Sequence, residues 1–227
     1  MAPSQIAGIG ITSQREGIAL LDDDRQPLYV GPNTDLRGVF QGGAIDQEAG
    51  DFIWRMCGHG PGFMLAWSKL RWFKEERPWL FGKARCVVSL PDWLAARMTG
   101  ALATERASAA ECGLADVTTG LPARSVAKRL GLDGIEIPPA CDPGTVAGGL
   151  LPVPADELGL DPGTPVVRAG PDTQVGLVGL GTGEAGEAGA MAGWSGAVQL
   201  VTRRPVFDAE RGLWTGRHVV PGRWVLE

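Results

Sequence analysis

The chain reads as an α/β protein with a mixed sheet, because strand-like and helical segments alternate along most of its length after an opening run of strands. The 34 glycines and 17 prolines fall singly at the borders of periodic segments, so they punctuate elements rather than form low-complexity tracts. The stretch 164–183, TPVVRAGPDTQVGLVGLGTG, takes an apolar strand through a turn into a small-residue helix. Open α/β sheets bind their ligands at connections of that kind.

Each element follows from a local pattern. Residues 6–12 and 17–22 run apolar or alternate as strands do, and a charged turn at 22–26 leads to a third strand at 27–30, so a meander is predicted to open the chain. After a loop at 31–33, helical spacing returns at 46–56 and 65–76. In the second of these, Leu65, Trp72 and Phe73 mark an apolar stripe, while Lys69, Arg71 and Lys74 are read as a solvated basic face. The best-marked helix spans 89–100, with Ser89 as cap, Pro91 in its first turn and Gly100 at its stop. Residues 122–130 form another, ended by Gly131. The Pro/Gly-rich stretch 135–163 reads as a surface crossover with one short strand at 145–150. In the stretch 164–183, residues 164–167 read as the strand, 168–171 as the turn and 173–180 as the helix, with Asp172 as its N-cap. Strands at 190–193 and 197–201 flank the turn Gly193-Trp-Ser-Gly196.

Composition narrows the function. With a net charge of −5 and no basic run interleaved with aromatics, a nucleic-acid surface is not expected, and small soluble ligands are. Cys57, Cys86, Cys112 and Cys141 are spread without a C-x-x-C pair, and His59 and His218 are the only histidines, so neither a zinc site nor a disulfide framework is expected. Reduced, mostly buried thiols in a cytoplasmic protein fit this pattern. No window approaches the roughly 20 apolar residues of a membrane span, so no membrane partner is expected. A carboxylate at position 172 faces the crevice beyond a strand end, where it serves either as a cap or as a functional group. His59 sits in a loop, exposed or hydrogen-bonded. Gly181-Thr-Gly-Glu-Ala-Gly186 satisfies G-x-G-x-x-G, yet the residues after it are rich in glycine and alanine and then strand-like, so a dinucleotide-binding domain is the remote alternative.

Five blocks, in order, resemble the FGGY carbohydrate kinases. Residues 11–16, ITSQRE, resemble the family's strand ending in a polyol-binding Gln-Arg-Glu. Asp35-Leu-Arg37 is similar to its Asp-x-Arg, with Pro32-Asn-Thr34 in place of the usual tryptophan. Residues 92–100, followed by Thr104 and Gly113-Leu-Ala-Asp116, resemble its Leu-Thr-Gly helix and the segment after it. Gly144-Thr-Val-Ala-Gly148 and Gly170-Pro-Asp-Thr-Gln174 resemble its Gly-x-Val-x-Gly strand and its catalytic turn.

The resemblance implies an actin-like, ribonuclease-H-like lobe, a mixed β-sheet flanked by helices, incomplete in this chain. It implies phosphorylation of a sugar or polyol hydroxyl with ATP and Mg2+ as cofactors. Asp172 matches the general base, and Gln14, Arg15, Glu16, Asp35 and Thr173 match substrate-binding positions. Arg15 and Glu16 also read as a salt-bridged strand end. Gly193, Ser195 and Gly196 match the second phosphate loop, where Trp194 replaces a threonine. The implied domains are a sugar-binding lobe over 1–185 and the start of a nucleotide lobe over 186–227. The family's opening Asp-x-Gly-Thr hairpin and its adenosine lobe are not in this sequence, so the expectation is a kinase fragment, inactive alone, partnered by a second copy or a complementing kinase fragment. The rival reading is a non-catalytic sugar-binding or regulatory module.

Overall fold

The computed structural model describes residues 2–193 and 195–227. The chain opens with strands β1 (Ile9–Ser13), β2 (Ile18–Leu21) and β3 (Pro27–Gly31), then helices α1 (Val39–Cys57), α2 (Ala66–Glu76) and the single turn α3 (Pro78–Phe81). Strand β4 (Cys86–Ser89) leads directly into α4 (Leu90–Thr99), followed by β5 (Thr104–Glu105), α5 (Arg106–Glu111) and α6 (Arg124–Arg129). Next come β6 (Ala140–Cys141), β7 (Thr145–Gly149), α7 (Pro152–Leu158), β8 (Pro165–Pro171) and α8 (Asp172–Gly179). Strands β9 (Ala188–Ala192), β10 (Gly196–Thr202), β11 (Thr215–Arg217) and β12 (Trp224–Leu226) complete the described elements.

Of the predicted opening meander only the second half forms, β2 pairing antiparallel with β3 across the turn at 22–26. Strand β1 runs parallel to β8, whose other edge pairs antiparallel with β7, while β2 lies between β3 and β4 in a separate antiparallel sheet. The chain switches sheets at Glu16, which takes φ of 58°, a left-handed backbone that residues other than glycine seldom adopt. All four residues of β2 are buried, so both faces of this central strand are covered.

The predicted turn at 168–171 is also strand. After a bulge between Ile11 and Thr12, the ladder continues through Thr12 opposite Gly170 and Ser13 opposite Pro171, and the Thr12 hydroxyl donates to the Gly170 carbonyl at 2.8 Å. Gly170 has φ of 116°, and a Cβ there would stand 2.5 Å from Val219 Cγ1, so the position needs glycine. The Pro/Gly-rich crossover contains helix α7, because Pro152 occupies the first helical position, where its missing N–H costs nothing.

Helices α1, α2 and α6 enclose the main apolar core with β2 and β4, centred on Ile18, Leu20, Ile53, Trp67, Leu70 and Leu114. A second cluster joins α4 to β1 and β8 through Ile11, Met98, Leu150 and Val166. Strands β9 to β12 form an antiparallel sheet in the order β11-β12-β10-β9, and Leu177 of α8 packs on its Val201 and Val225. Cys57, Cys86 and Cys112 are buried, Cys141 is half-buried, and all four are free thiols. Among the described residues no helix is long and apolar enough to cross a membrane.

Candidate active site

Asp172 stands where β8 ends and α8 begins. It is the first residue of the helix and not its cap, correcting the expectation: Pro171, in extended conformation, holds the cap position. The exposed carboxylate therefore answers only the next N–H, that of Thr173, at 2.9 Å. A proline at the cap offers no side-chain acceptor, which leaves Asp172 turned to solvent with acceptor capacity to spare.

That solvent is a cleft of about 530 Å³. It is lined by Gln14, Asn33, Thr34, Asp172, Thr173, Met191 and, from the β9–β10 turn, Gly193 and Ser195. Three separately predicted blocks thus meet on one cavity. The Gly193 N–H is already taken by the Ser195 carbonyl at 2.9 Å, and Ser195 is exposed. Gly196 begins β10 opposite Ala192, and Trp194 lies outside the described residues.

Behind the cleft wall lies a charged interior. Arg15 forms a bidentate pair with Glu227, at 2.6 and 2.9 Å, and its Nη1 also donates to Glu111 at 3.5 Å. Burial opposes the Arg15 charge, but Glu111 and Glu227 outweigh it and raise its pKa. Glu16 is 2% exposed, and one of its carboxylate oxygens, Oε1, is buried without a hydrogen-bond partner among the described residues. Burial pushes its pKa up, against the pull of Arg15 and of the Asn33 side chain. An unpartnered buried acceptor on a strained backbone is a common mark of a ligand site.

Asp35 is set apart from Asp172. Its carboxylate accepts from the Tyr29 hydroxyl, from the Arg37 backbone N–H at 3.1 Å and from Arg37 Nε at 2.7 Å. Burial works against its charge, yet the Tyr29 hydroxyl and Arg37 hold it below the usual carboxylate range. The Arg37 guanidinium in turn stacks over Tyr29, 4.5 Å from the ring centre, so this group forms one wall of the loop after β3.

Four contributors escaped the sequence reading. Glu111 is 2% exposed, and its carboxyl is pushed up to about 8 by burial, against the pull of Arg15. Gln174 is fully buried and donates to Glu111 at 2.8 Å. Gln199 donates to Glu227 at 2.7 Å. Lys69, read as part of a solvated face, is fully buried; its Nζ donates to the Met64 carbonyl at 3.3 Å, and burial lowers its pKa. The remaining basic residues of α2 do face out, Arg71 to Glu48 and Glu75 and Lys74 to the Gly131 carbonyl. Helical spacing fixes which stripe is apolar but does not show that a long lysine stem tucks inward beside it.

His59 is not exposed. It is 2% exposed, with Nε2 3.3 Å from the Ala110 carbonyl, and burial lowers its pKa to about 4. Gly181 to Gly186 lead from the end of α8 into β9 with no helix after them, so the dinucleotide fingerprint lacks its structural context.

Comparison with known proteins gives the family. Residues 1–179 match the model of the FGGY family of carbohydrate kinases, N-terminal domain. The chain belongs to the FGGY family of carbohydrate kinases. It is 30% identical over 227 residues to autoinducer-2 kinase of Escherichia coli (strain SMS-3-5 / SECEC), covering 98% of this chain and 42% of that protein. The autoinducer-2 kinase of Salmonella paratyphi B is 29% identical over 223 residues, at 96% and 42% coverage. Among solved structures, a ligand-bound xylulose kinase from Lactobacillus acidophilus superposes with a TM-score of 0.87 at 20% identity, over 99% of this chain and 47% of that one. Plasmodium falciparum glycerol kinase with ADP superposes at 0.83 and 19% identity, over 96% and 46%. The fold is therefore the actin-like lobe of these kinases, and the chain spans less than half the length of the relatives it matches.

Proposed function

We propose that this chain supplies the sugar- or polyol-binding part of a kinase that transfers the γ-phosphoryl group of ATP to a hydroxyl, with Asp172 as general base. The observation that carries the reading is that Asp172 and Thr173 open onto the same cleft as Gln14 and Asn33, with Glu16 and its unpartnered oxygen set just behind. The attacking hydroxyl must lose its proton as it meets the phosphorus, and an exposed carboxylate at a helix start is placed to accept it.

The remaining roles rest on donor and acceptor chemistry. Glu16 accepts from a substrate hydroxyl, while Gln14 and Thr173 offer neutral contacts to neighbouring ones. Three of the five Arg15 N–H donors are directed at Glu111 and Glu227, so its remaining donors suit a hydroxyl oxygen. Asp35 shapes the loop that carries Asn33 and Thr34. Ser195, with Gly193 and Gly196, meets the transferred phosphate. No cluster of three or more metal-ligating side chains occurs among the described residues, which fits Mg2+ held mainly by nucleotide phosphates with one or two carboxylates. Residues 1–185 form the sugar-binding lobe in this reading, and 186–227 open the nucleotide lobe.

The test is ATP-dependent phosphorylation of a panel of autoinducer-2, xylulose, gluconate and glycerol, the compounds named for the relatives and neighbours. It is run on a protein extended to the length of those relatives and on its Asp172→Asn variant. Phosphorylation of one panel member that collapses in the variant supports the reading. Equal turnover by the variant overturns the base assignment, and no phosphorylation of any member overturns the kinase reading within that panel.

A further inference from the structure

Six side chains close a hydrogen-bonded ring around the buried end of the candidate site. Arg15 reaches Glu111 at 3.5 Å, Glu111 accepts from Gln174 at 2.8 Å, and the Thr173 hydroxyl donates to Gln174 Oε1 at 2.6 Å. The other half runs from Thr173 to Gln199 at 3.5 Å, from Gln199 to Glu227 at 2.7 Å and back to Arg15 at 2.6 Å. Its members come from the β1–β2 connection, α5, α8, β10 and the residue after β12, so one ring ties together segments far apart in sequence.

Glu111 is the member whose presence demands a reason. A carboxylate taken wholly out of water loses several kcal/mol of hydration, and a buried polar group of this kind replaced together with its partners by apolar residues often leaves a fold as stable or more so. Its two partners are the arginine beside Glu16 and the glutamine two residues beyond Asp172 on α8. The backbone is shaped to keep that pair: a Cβ on Gly216 of β11 would lie 2.4 Å from Glu111 Oε1 and 3.3 Å from Gln174 Nε2. The strand approaches there as only glycine can.

We infer that Glu111 is a positioning residue, fixing the helix that carries Asp172 against the Gln14-Arg15-Glu16 segment and so setting the distance between the base and the hydroxyl it deprotonates. The inference rests on the reading of Asp172 as that base. Helix α8 has only eight residues, and Leu177 and Gln174 are its buried side chains, so a short element gains its orientation from one apolar anchor and one polar one. A misplacement of about 1 Å can cost a hundredfold in rate, which gives the polar anchor a functional consequence that its burial alone lacks.

The experiment uses the 227-residue chain and amide hydrogen exchange over residues 172–179, with residues 66–76 as the internal reference. Glu111→Leu leaves the buried Gln174 amide without its acceptor, so it is expected to lower melting and to speed exchange in 172–179 by about tenfold beyond any change in the reference. Gln174→Leu should also speed exchange locally, and the double variant should fall short of the product of the two effects, because the Glu111–Gln174 bond is lost in all three while Glu111→Leu also frees Arg15 and Gln174→Leu also frees Thr173. Glu111→Gln, which keeps an acceptor for Gln174, should restore slow exchange. Unchanged exchange in Glu111→Leu, or effects that multiply in the double variant, would overturn the inference; if Glu111→Leu does not fold, Gln174→Leu and Glu111→Gln carry the same comparison. Because the readout involves no phosphoryl transfer, its failure is distinct from that of the kinase reading, which falls with the Asp172→Asn turnover.

Discussion

The interior of this protein is of two kinds, and they differ in what they do. Around Trp67 and Leu70 it is apolar and closely packed, with side chains that touch no candidate ligand. Around Arg15, Glu16 and Glu111 it is polar, with three carboxylates, one guanidinium and Lys69 nearby: Glu16, Glu111 and Lys69 are buried, and Arg15 and Glu227 are partly so. The first kind gains free energy from burial, roughly 25 cal/mol per Å² of apolar surface. The second gives some of it back, and a fold keeps such groups where their geometry serves a purpose beyond stability. The contrast predicts that function and stability respond to different substitutions.

The largest expected effect breaks the polar side alone. In a protein extended to the length of the matched kinases, Asp172→Asn should lower turnover by roughly 10²–10⁴-fold, the usual worth of a positioned general base. Its melting temperature should stay near the parent value, since the side chain is exposed and Pro171 holds the cap position. Steady-state kinetics beside a melting curve checks both halves. A stability loss equal to the rate loss would erase the contrast.

Trp67→Ala breaks the apolar side. Trp67 is 1% exposed, and its indole N–H donates to the Gly113 carbonyl at 2.8 Å, so the substitution opens a large cavity and strands a buried acceptor. A loss of about 3–5 kcal/mol in unfolding free energy is expected by denaturant titration. Molecules that remain folded should bind polyol as before.

Glu16→Ala sharpens the comparison by probing a buried residue with an unpartnered carboxylate oxygen, proposed to accept from the substrate. Removing a charged acceptor should weaken polyol binding by about ten- to a hundredfold, in line with a hydrogen bond to an ionised group. Relief of the left-handed backbone strain does not follow, since alanine at φ of 58° is no better placed than glutamate. Titration calorimetry with the phosphorylated panel member reads the loss, and unchanged affinity would remove Glu16 from the site.

The same contrast explains what could be read in the sequence. Periodicity located α2, α4, β7, β9 and β10 to within a few residues, because an apolar stripe or a run bounded by glycine and proline is a local signal. Asp172, Gln14 and Glu16 were legible through blocks that match the family. Glu111, Gln199 and Glu227 carry no local signal, and Gln174, though inside the block at 170–174, shows its part only once five segments meet. Lys69 was misassigned because a charged residue beside an apolar stripe usually points out, and here its head reaches the Met64 carbonyl inside. The first half of the opening meander failed for a related reason: strand pairing is a long-range property, and Ile9 of β1 pairs with Val166, 157 residues away.

The smallest expected effect concerns pH and isolates Glu111. Its carboxyl is pushed up to about 8 by burial, well above the ordinary value of 4.5, so the folded state holds a proton that the unfolded state releases. Stability from this group is therefore fully present below pH 4.5, declines as pH rises toward 8, and is flat above it. Asp92, raised to about 7 chiefly by burial, slopes the same way but levels off near pH 7. His59, lowered to about 4 by burial, slopes the opposite way and only below its ordinary value of 6.5. Burial also raises Glu16 and Glu105, which slope the same way, so Glu111 is isolated by the difference between the parent chain and Glu111→Gln across pH 7 to 8 and not by the parent curve alone. Melting temperature should fall across that interval in the parent chain and fall less in Glu111→Gln, which has no proton to lose. Parallel curves for the two proteins would show that Glu111 is ionised throughout, held so by Arg15, and the charged interior would then be a paired network rather than one that shares a proton.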